Sequence, residues 1–168
     1  MKAADSSTAT PIIRPVIPTD LPQIGRLGAL LVETHHAFDS RRFLAPSIRT
    51  PDDYASFLGT HLDDPDVCIF VAESDGHVIG YAFARLEGYD YLLLRGPAGV
   101  VHDIIVDPEY RGRGIARLLL EATLAELRSR GAPRVVLSTA DANERAQRLF
   151  ASMGFRRTMI EMTREFDE

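Results

Sequence analysis

V-V-H-D-I-I-V-D-P-E-Y-R-G-R-G-I-A-R-L-L-L, from Val100 to Leu120, changes character twice. As far as Val106 it is apolar and β-branched, the composition of a buried strand. Pro108 has no N–H to give to a ladder and ends the strand. From Ile115 onward, Ile115, Leu118, Leu119 and Ala122 fall at i, i+3, i+4 and i+7, the period of a helix. Between the two lie Gly112 and Gly114, interleaved with Arg111 and Arg113. A strand feeding a glycine-rich cationic loop that opens on a helix leaves unpaired N–H groups at the positive end of a helix dipole. Such a place suits phosphate.

The kind of phosphate ligand follows partly by exclusion. A dinucleotide fingerprint needs a third glycine where Arg117 stands, and no Walker lysine with Ser or Thr follows. What remains is R-x-x-G-x-A, Arg111 to Ala116. It resembles the pyrophosphate-binding motif Q/R-x-x-G-x-G/A of the GNAT superfamily of acetyl-coenzyme A-dependent N-acetyltransferases. The I-x-V-x-P of Ile104, Val106 and Pro108 and the Y-R-G of Tyr110 to Gly112 resemble that family too. The resemblance implies acetyl-coenzyme A as the acetyl donor, held by Ile104, Ile105, Val106, Arg111, Gly112, Arg113, Gly114, Ile115, Ala116 and Arg117. It also implies an oxyanion-type backbone donor near Val106 for the thioester carbonyl.

A second stretch, N-E-R-A-Q-R-L-F-A-S-M-G-F from Asn143 to Phe155, is similar to the family's N-x-x-A-x-x-L-Y-x-x-x-G-F. By that likeness Asn143 borders the coenzyme A arm. One position departs. The family often has a tyrosine, proposed to protonate the leaving thiolate, where this chain has Phe150, which cannot donate a proton. As a residue at helical spacing, Phe150 reads as core packing.

Composition sets the frame. With 168 residues, 45% of them hydrophobic, the chain can bury one core without staples. Its one cysteine, Cys68, excludes an internal disulfide framework and fits a reducing, cytoplasmic setting. No long apolar run and no signal-peptide pattern is present, so no membrane partner is expected. A net charge of −5 argues against general nucleic-acid binding and is compatible with a cationic amine. Residues 111–117 nevertheless carry three arginines and no acid, a local excess that favours an anion.

The rest of the chain falls into order around the central unit. Residues 1–10 are small and polar and read as a disordered tail, leaving residues 11–168 as a single domain. A short edge strand over Ile12–Ile17 precedes a helix capped by Thr19 or Asp20, with Ile24, Leu27, Leu30 and Leu31 on its apolar face. Glu33 to Pro51 lacks a clear period and reads as a helix end and surface loop, or as a lip over the acceptor site. His35, His36 and Asp39 within it match no standard zinc spacing, so no metal is expected. A second helix follows Pro51. Strands over Val67–Ala72 and Val78–Leu86 flank the hairpin signal Ser74-Asp75-Gly76-His77. Gly88 to Pro97 either extends the second strand or forms a flap. After the central strand, loop and helix, Arg134–Thr139 reads as a parallel strand. A helix capped by Asp141 or Asn143 and ended by Gly154 comes next, then a last strand from about Thr158 to Phe166. The fold class is α/β (mixed α+β): a twisted mixed sheet of about six to seven strands with four helices, in the order β-α-α-β-β-β-α-β-α-β. That order is similar to the GNAT fold over Ile12 to Phe166.

The strand also carries chemistry. Strict alternation puts His102 with Val100, Ile104 and Val106 on one face, and Asp103 with Val101 and Ile105 on the other. Two titratable residues in an apolar strand need partners or a cavity. Acyl transfer to an amine needs the amine unprotonated, and imidazole is suited to that task near neutral pH. His102 and Asp103 are therefore the catalytic candidates: His102 as base, Asp103 to hold the imidazole or to attract a cationic amine. The expected activity is acetyl transfer to the primary amine of a small molecule by direct attack. The alternatives are a protein or peptide acceptor (N-terminus or lysine) and a catalytically silent acyl-coenzyme A-binding module, to which Phe150 lends weight. The alternating C-terminal strand, at a sheet edge, points to a homodimer.

Overall fold

The computed structural model of the chain describes residues 10–166. The tail expected over residues 1–10 lies outside them, apart from Thr10. Strand β1 (Ile12–Pro15) leads into helix α1 (Leu21–Phe38) and helix α2 (Thr50–Gly59). Strands β2 (Val67–Ser74), β3 (His77–Glu87) and β4 (Ala98–Val106) follow, then helix α3 (Ile115–Ser129), strand β5 (Val135–Leu137) and helix α4 (Glu144–Ser152). The strands form one sheet in sequence order, antiparallel except for the parallel pair β4–β5. The β2–β3 hairpin turns on Asp75 and Gly76, both with positive φ, as a tight two-residue hairpin turn demands.

Alternation along the strands sorts the core into two layers. On one face, Ile69, Val71, Tyr81, Phe83 and Ile105 pack against Ile24 and Leu27 of α1 and Leu58 of α2. On the other, Ala72, Ala82, Ala84, Val101 and Val106 meet Ile115, Leu119, Leu120 and Leu127 of α3 and Phe150 of α4. Each large side chain buried in this way contributes about 1.5–3 kcal/mol. Helices α1 and α2 cross closely because α1 offers bare backbone there. A Cβ on Gly25 would lie 2.4 Å from Pro51 O, and one on Gly28 would lie 2.1 Å from Cδ1 of Tyr54.

The chain departs from the sequence expectation at its end. Among the described residues the sheet has five strands rather than six or seven, and Thr158 to Phe166 forms no strand. Its alternation puts Met159 on one side and Ile160 and Met162 on the other, so neither side is a clean apolar face. All three stay exposed, as does Phe166. The segment is tethered through charge instead. Arg42, in the loop between α1 and α2, forks onto the Glu161 carboxylate with Nη2 donating at 2.9 Å, and Arg41 pairs with Glu165 at 3.8 Å. Strand β5 is also shorter than the expected Arg134–Thr139. Of the two expected caps for α4, Asn143 takes the role, its Oδ1 accepting from Ala146 N at 3.1 Å.

Candidate active site

Strand β5 pairs with β4 only along Gly99 to Val101, and past that point the strands part. Asp107 N–H donates to Ile79 O at 2.8 Å, so Val106, one residue earlier, turns its backbone polar groups away from β3. Its carbonyl accepts from Arg111 Nε at 3.0 Å, which pins the loop to the strand end, while its N–H is left toward the gap. A cleft of about 570 Å³ fills the gap. His102, Asp103, Ile104, Ile105, Val106, Arg111, Gly112, Gly114, Ile115, Ala116, Arg117 and Asn143 all line it.

The loop itself is shaped by backbone conformation. Gly112 and Gly114 have φ of +82° and +78°, and a Cβ on either would meet nothing within 4 Å. Glycine is required there by the left-handed turn rather than by crowding, and it leaves bare backbone at the cleft. Helix α3 begins at Ile115, so its first N–H groups lack intrahelical partners and open on the same space. Arg113 alone of the expected loop residues does not line the cleft. It donates to Glu109 O at 3.3 Å and sits over the Tyr110 ring, 5.1 Å from its centroid. Arg117 Nη2 donates to Ser152 Oγ at 2.6 Å and so also braces α3 against α4. The geometry fits an extended ligand with a pyrophosphate at the loop and a strand-like arm along β4.

Strict alternation fails at His102, and the failure builds the other half of the site. The β3–β4 register pairs Phe83 with Asp103 and Ala84 with Val101, leaving His102 as the extra residue of a bulge. Val101 therefore packs on the α3 side, while His102 tilts against Phe83 (ring centroids 5.3 Å apart) and Asp103 reaches Tyr81. Because Tyr81 and Phe83 share a face of β3, both titratable residues lie on the α1–α2 side of the sheet. The expectation of opposite faces is corrected by that one inserted residue.

Their partners differ. His102 Nε2 lies 2.9 Å from Oε1 of Glu87. A carboxylate only accepts, so Nε2 carries the hydrogen and Nδ1 of the neutral ring holds the lone pair. Glu87 is fixed in turn by Arg95, whose Nη2 donates to Oε2 at 2.5 Å. Arg95 closes a hairpin with Asp90 through mutual backbone bonds of 2.8 Å, so the Gly88–Pro97 segment is a flap and not a strand extension. Asp103 does not hold the imidazole. Its Oδ2 accepts from Tyr54 Oη at 2.7 Å and from Tyr81 Oη at 3.0 Å. Burial pushes the Asp103 carboxyl above its ordinary 3.8, and the two phenols pull it partly back. Burial first, then the Asp103 charge, raises both phenols in turn.

Helix α1 closes the far wall. Leu31, Thr34, His35 and Phe38, at helical spacing, line the cleft, whereas His36 does not. Glu87, Tyr54 and Tyr81 escaped the sequence reading as site residues. The glycine pair Gly25 and Gly28 inside a helix, a sign of close backbone approach, was the available signal for Tyr54. A glutamate closing the apolar run of β3 was the signal for Glu87. Among the described residues no group of three or more His, Cys, Asp or Glu is placed to hold a metal ion.

The chain belongs to the Acetyltransferase (GNAT) family, whose model matches residues 32–155. The mycothiol acetyltransferase of Thermobispora bispora is 42% identical over 97 residues, 55% of this chain and 31% of its own length. The chain thus spans about a third of the length of the mycothiol acetyltransferases it matches. An uncharacterized N-acetyltransferase of Mycobacterium tuberculosis is 33% identical over 132 residues, covering 72% of this chain and 77% of that protein. Among solved structures, the aminoglycoside N-acetyltransferase AAC(6')-Iy in complex with CoA aligns at a TM-score of 0.72 and 21% identity, over 97% of this chain and 99% of that one. A tetramutant of a Bacillus halodurans protein reaches a TM-score of 0.80 at 23% identity, over 92% and 99% of the two chains. At such identities the likeness is one of fold, and it agrees with the GNAT-like mixed architecture expected from the sequence.

Proposed function

We propose that the chain is an acetyl-coenzyme A-dependent N-acetyltransferase acting on the primary amine of a small molecule by direct attack. One observation carries the reading. The gap between β4 and β5 joins the glycine–arginine loop at one end to His102 and Asp103 on the acceptor side. Acetyl-coenzyme A would supply the activated acetyl thioester. Gly112, Gly114 and the first turn of α3 would hold its pyrophosphate through backbone N–H groups, Arg111 would add charge, and Ile104 to Val106 and Asn143 would flank the arm. The Val106 N–H, facing the gap, would donate to the carbonyl oxygen.

On the acceptor side, Asp103 draws in the ammonium and the lone pair on His102 Nδ1 takes a proton from it, directly or through water. The amine nitrogen then bonds to the acetyl carbon and loses its second proton to solvent, while the carbon–sulfur bond breaks and the coenzyme A thiolate leaves to be protonated by water. Thiol release from acetyl-coenzyme A across small amines, aminoglycosides, polyamines and peptides tests the reading, and a preference for peptides would move the acceptor to protein N-termini or lysines.

Phe150 supports a second reading. It is 6% exposed, packs edge-on to Phe155 and lines the cleft where a proton donor would serve the departing thiolate. A silent acyl-coenzyme A-binding module would bind coenzyme A and release no thiol with any amine. The proposal extends to assembly and location. The outer edge of β5 and the exposed Met159, Ile160 and Met162 support a homodimer, which light scattering at tens of micromolar tests. The buried free thiol of Cys68 supports a cytoplasmic setting.

A further inference from the structure

We propose that the acceptor is a monocationic amine on an apolar body, its ammonium seated on Asp103 and its body lying against Leu31, His35 and Phe38 of α1. The inference rests on the acetyltransferase reading and narrows it.

Charge is the first argument. Among the residues lining the cleft, the carboxylates are Asp103 and Glu144, against three guanidiniums, Arg111, Arg117 and Arg145. Glu144 stands at the start of α4 with its side chain 80% exposed, and it pairs with Arg148 at 3.1 Å. Glu87, behind His102, is engaged by the imidazole and by Arg95, so one inward carboxylate is available. A second or third ammonium entering the cleft would lose its water and find no anion. An anionic acceptor would meet Asp103 itself.

The wall is the second argument. The side-chain donors that α1 brings to the cleft are turned back on their own helix. Thr34 Oγ1 donates to Leu30 O at 2.7 Å, and His35 Nδ1 donates to Leu31 O at 2.9 Å. The His35 ring is wedged edge-on between Phe38 and Phe43, with centroids at 6.0 and 5.0 Å. A polyhydroxylated body would find at most two side-chain acceptors here, Thr34 Oγ1 and His35 Nε2, and no free donor, too few for its hydroxyls, whereas an alkyl or aryl body needs none.

The anchor is the third argument. Both phenols converge on Oδ2 of Asp103, and no hydrogen bond reaches Oδ1 among the described residues, so that oxygen is left for the ligand. Tyr54 and Tyr81 act as positioning residues that aim the carboxylate.

The test is steady-state thiol release with 2-phenylethylamine, with neamine as a polycationic aminosugar, and with an arylamine that is neutral at the assay pH. 2-Phenylethylamine is expected to exceed neamine in kcat/KM by on the order of 10-fold or more. Asp103→Asn is expected to raise the 2-phenylethylamine KM by on the order of 10²-fold, and that of the neutral arylamine by less than a tenth of that factor. Preference for neamine would overturn the inference and leave the acetyltransferase reading standing. So would equal losses on both monoamines in Asp103→Asn, since a merely structural carboxylate would show them. No thiol release with any amine, although coenzyme A binds, would overturn both.

Discussion

His102 Nε2 lies 2.9 Å from Oε1 of Glu87, fifteen residues earlier on the neighbouring strand, and makes no bond to Asp103 beside it in sequence. The bulge that inserts His102 into β4 is what turns the ring toward the end of β3. The imidazole and the Asp103 carboxylate thereby have separate partners, and the proposed reaction would give them separate tasks, one to take a proton and one to attract a cation.

If His102 is the base, His102→Ala should lower kcat/KM by on the order of 10²–10⁴ and leave coenzyme A affinity intact. Glu87→Gln keeps the size but weakens the hold on the Nε2 hydrogen, and a smaller loss, about 10-fold, is expected. The control is a pH–rate profile with two amines of well-separated pKa. A limb that follows the amine and survives His102→Ala would show that bulk water, not His102, takes the proton.

Gly114 has φ of +78° and opens the first turn of α3. Gly114→Asp adds backbone strain and a negative charge where a pyrophosphate would lie. Each lost charge-assisted bond costs about 1.5–3 kcal/mol, so coenzyme A should bind at least 10-fold more weakly. Arg117→Ala should cost less, because that guanidinium is partly engaged with Ser152. Calorimetry on the two variants decides the order, and unchanged affinity in Gly114→Asp would remove the loop from the donor site.

The loop half of the cleft, proposed to hold the donor, was legible because it is local. A strand, two glycines and a helix start within Val100–Leu120 define it without help from distant residues. The half around His102 and Asp103 was less legible because it is assembled across the fold. Tyr54 reaches Asp103 over 49 residues, and Glu87 reaches His102 through a register shift that periodicity does not reveal. The C-terminal segment departs from the expected strand for a related reason. Alternation gives a segment two faces, but only a partner of the right shape makes either of them a strand face.

Gly28 shows how such a distant contact is held. A Cβ there would come within 2.1 Å of Cδ1 and 2.5 Å of Cγ of Tyr54, whose hydroxyl is bonded to Asp103. Gly28→Ala should gain up to about 1 kcal/mol in helix propensity yet lose about 1–3 kcal/mol to overpacking. Net destabilisation in urea, with a raised amine KM, is the expected result. Tyr54→Leu in the same chain should relieve the clash, giving a less-than-additive double mutant. Full additivity would mean that the helices simply move apart.

Two buried carboxylates should shift stability in opposite directions with pH. Asp20 is 4% exposed and receives Arg14 Nη1 and Nη2 at 2.7 and 2.9 Å, a fork that holds its carboxyl below the ordinary 3.8. A lowered value means stability that is present above 3.8 and lost as pH falls through the lowered one. Arg14→Met should therefore cost about 2–3 kcal/mol at neutral pH, less than a fully buried pair because Arg14 keeps some exposure, and should flatten the acid limb. Asp103 runs the other way. Its raised carboxyl contributes stability below 3.8 that is lost as pH rises through the raised value. Asp103→Asn cannot ionise, so it should grow more stable relative to wild type as pH rises from about 4 toward 7. Urea midpoints for the wild type and both variants between about pH 3 and 7 check the signs together. Parallel profiles for Asp103→Asn and the wild type would show that the two phenols fully offset the cost of burying the charge.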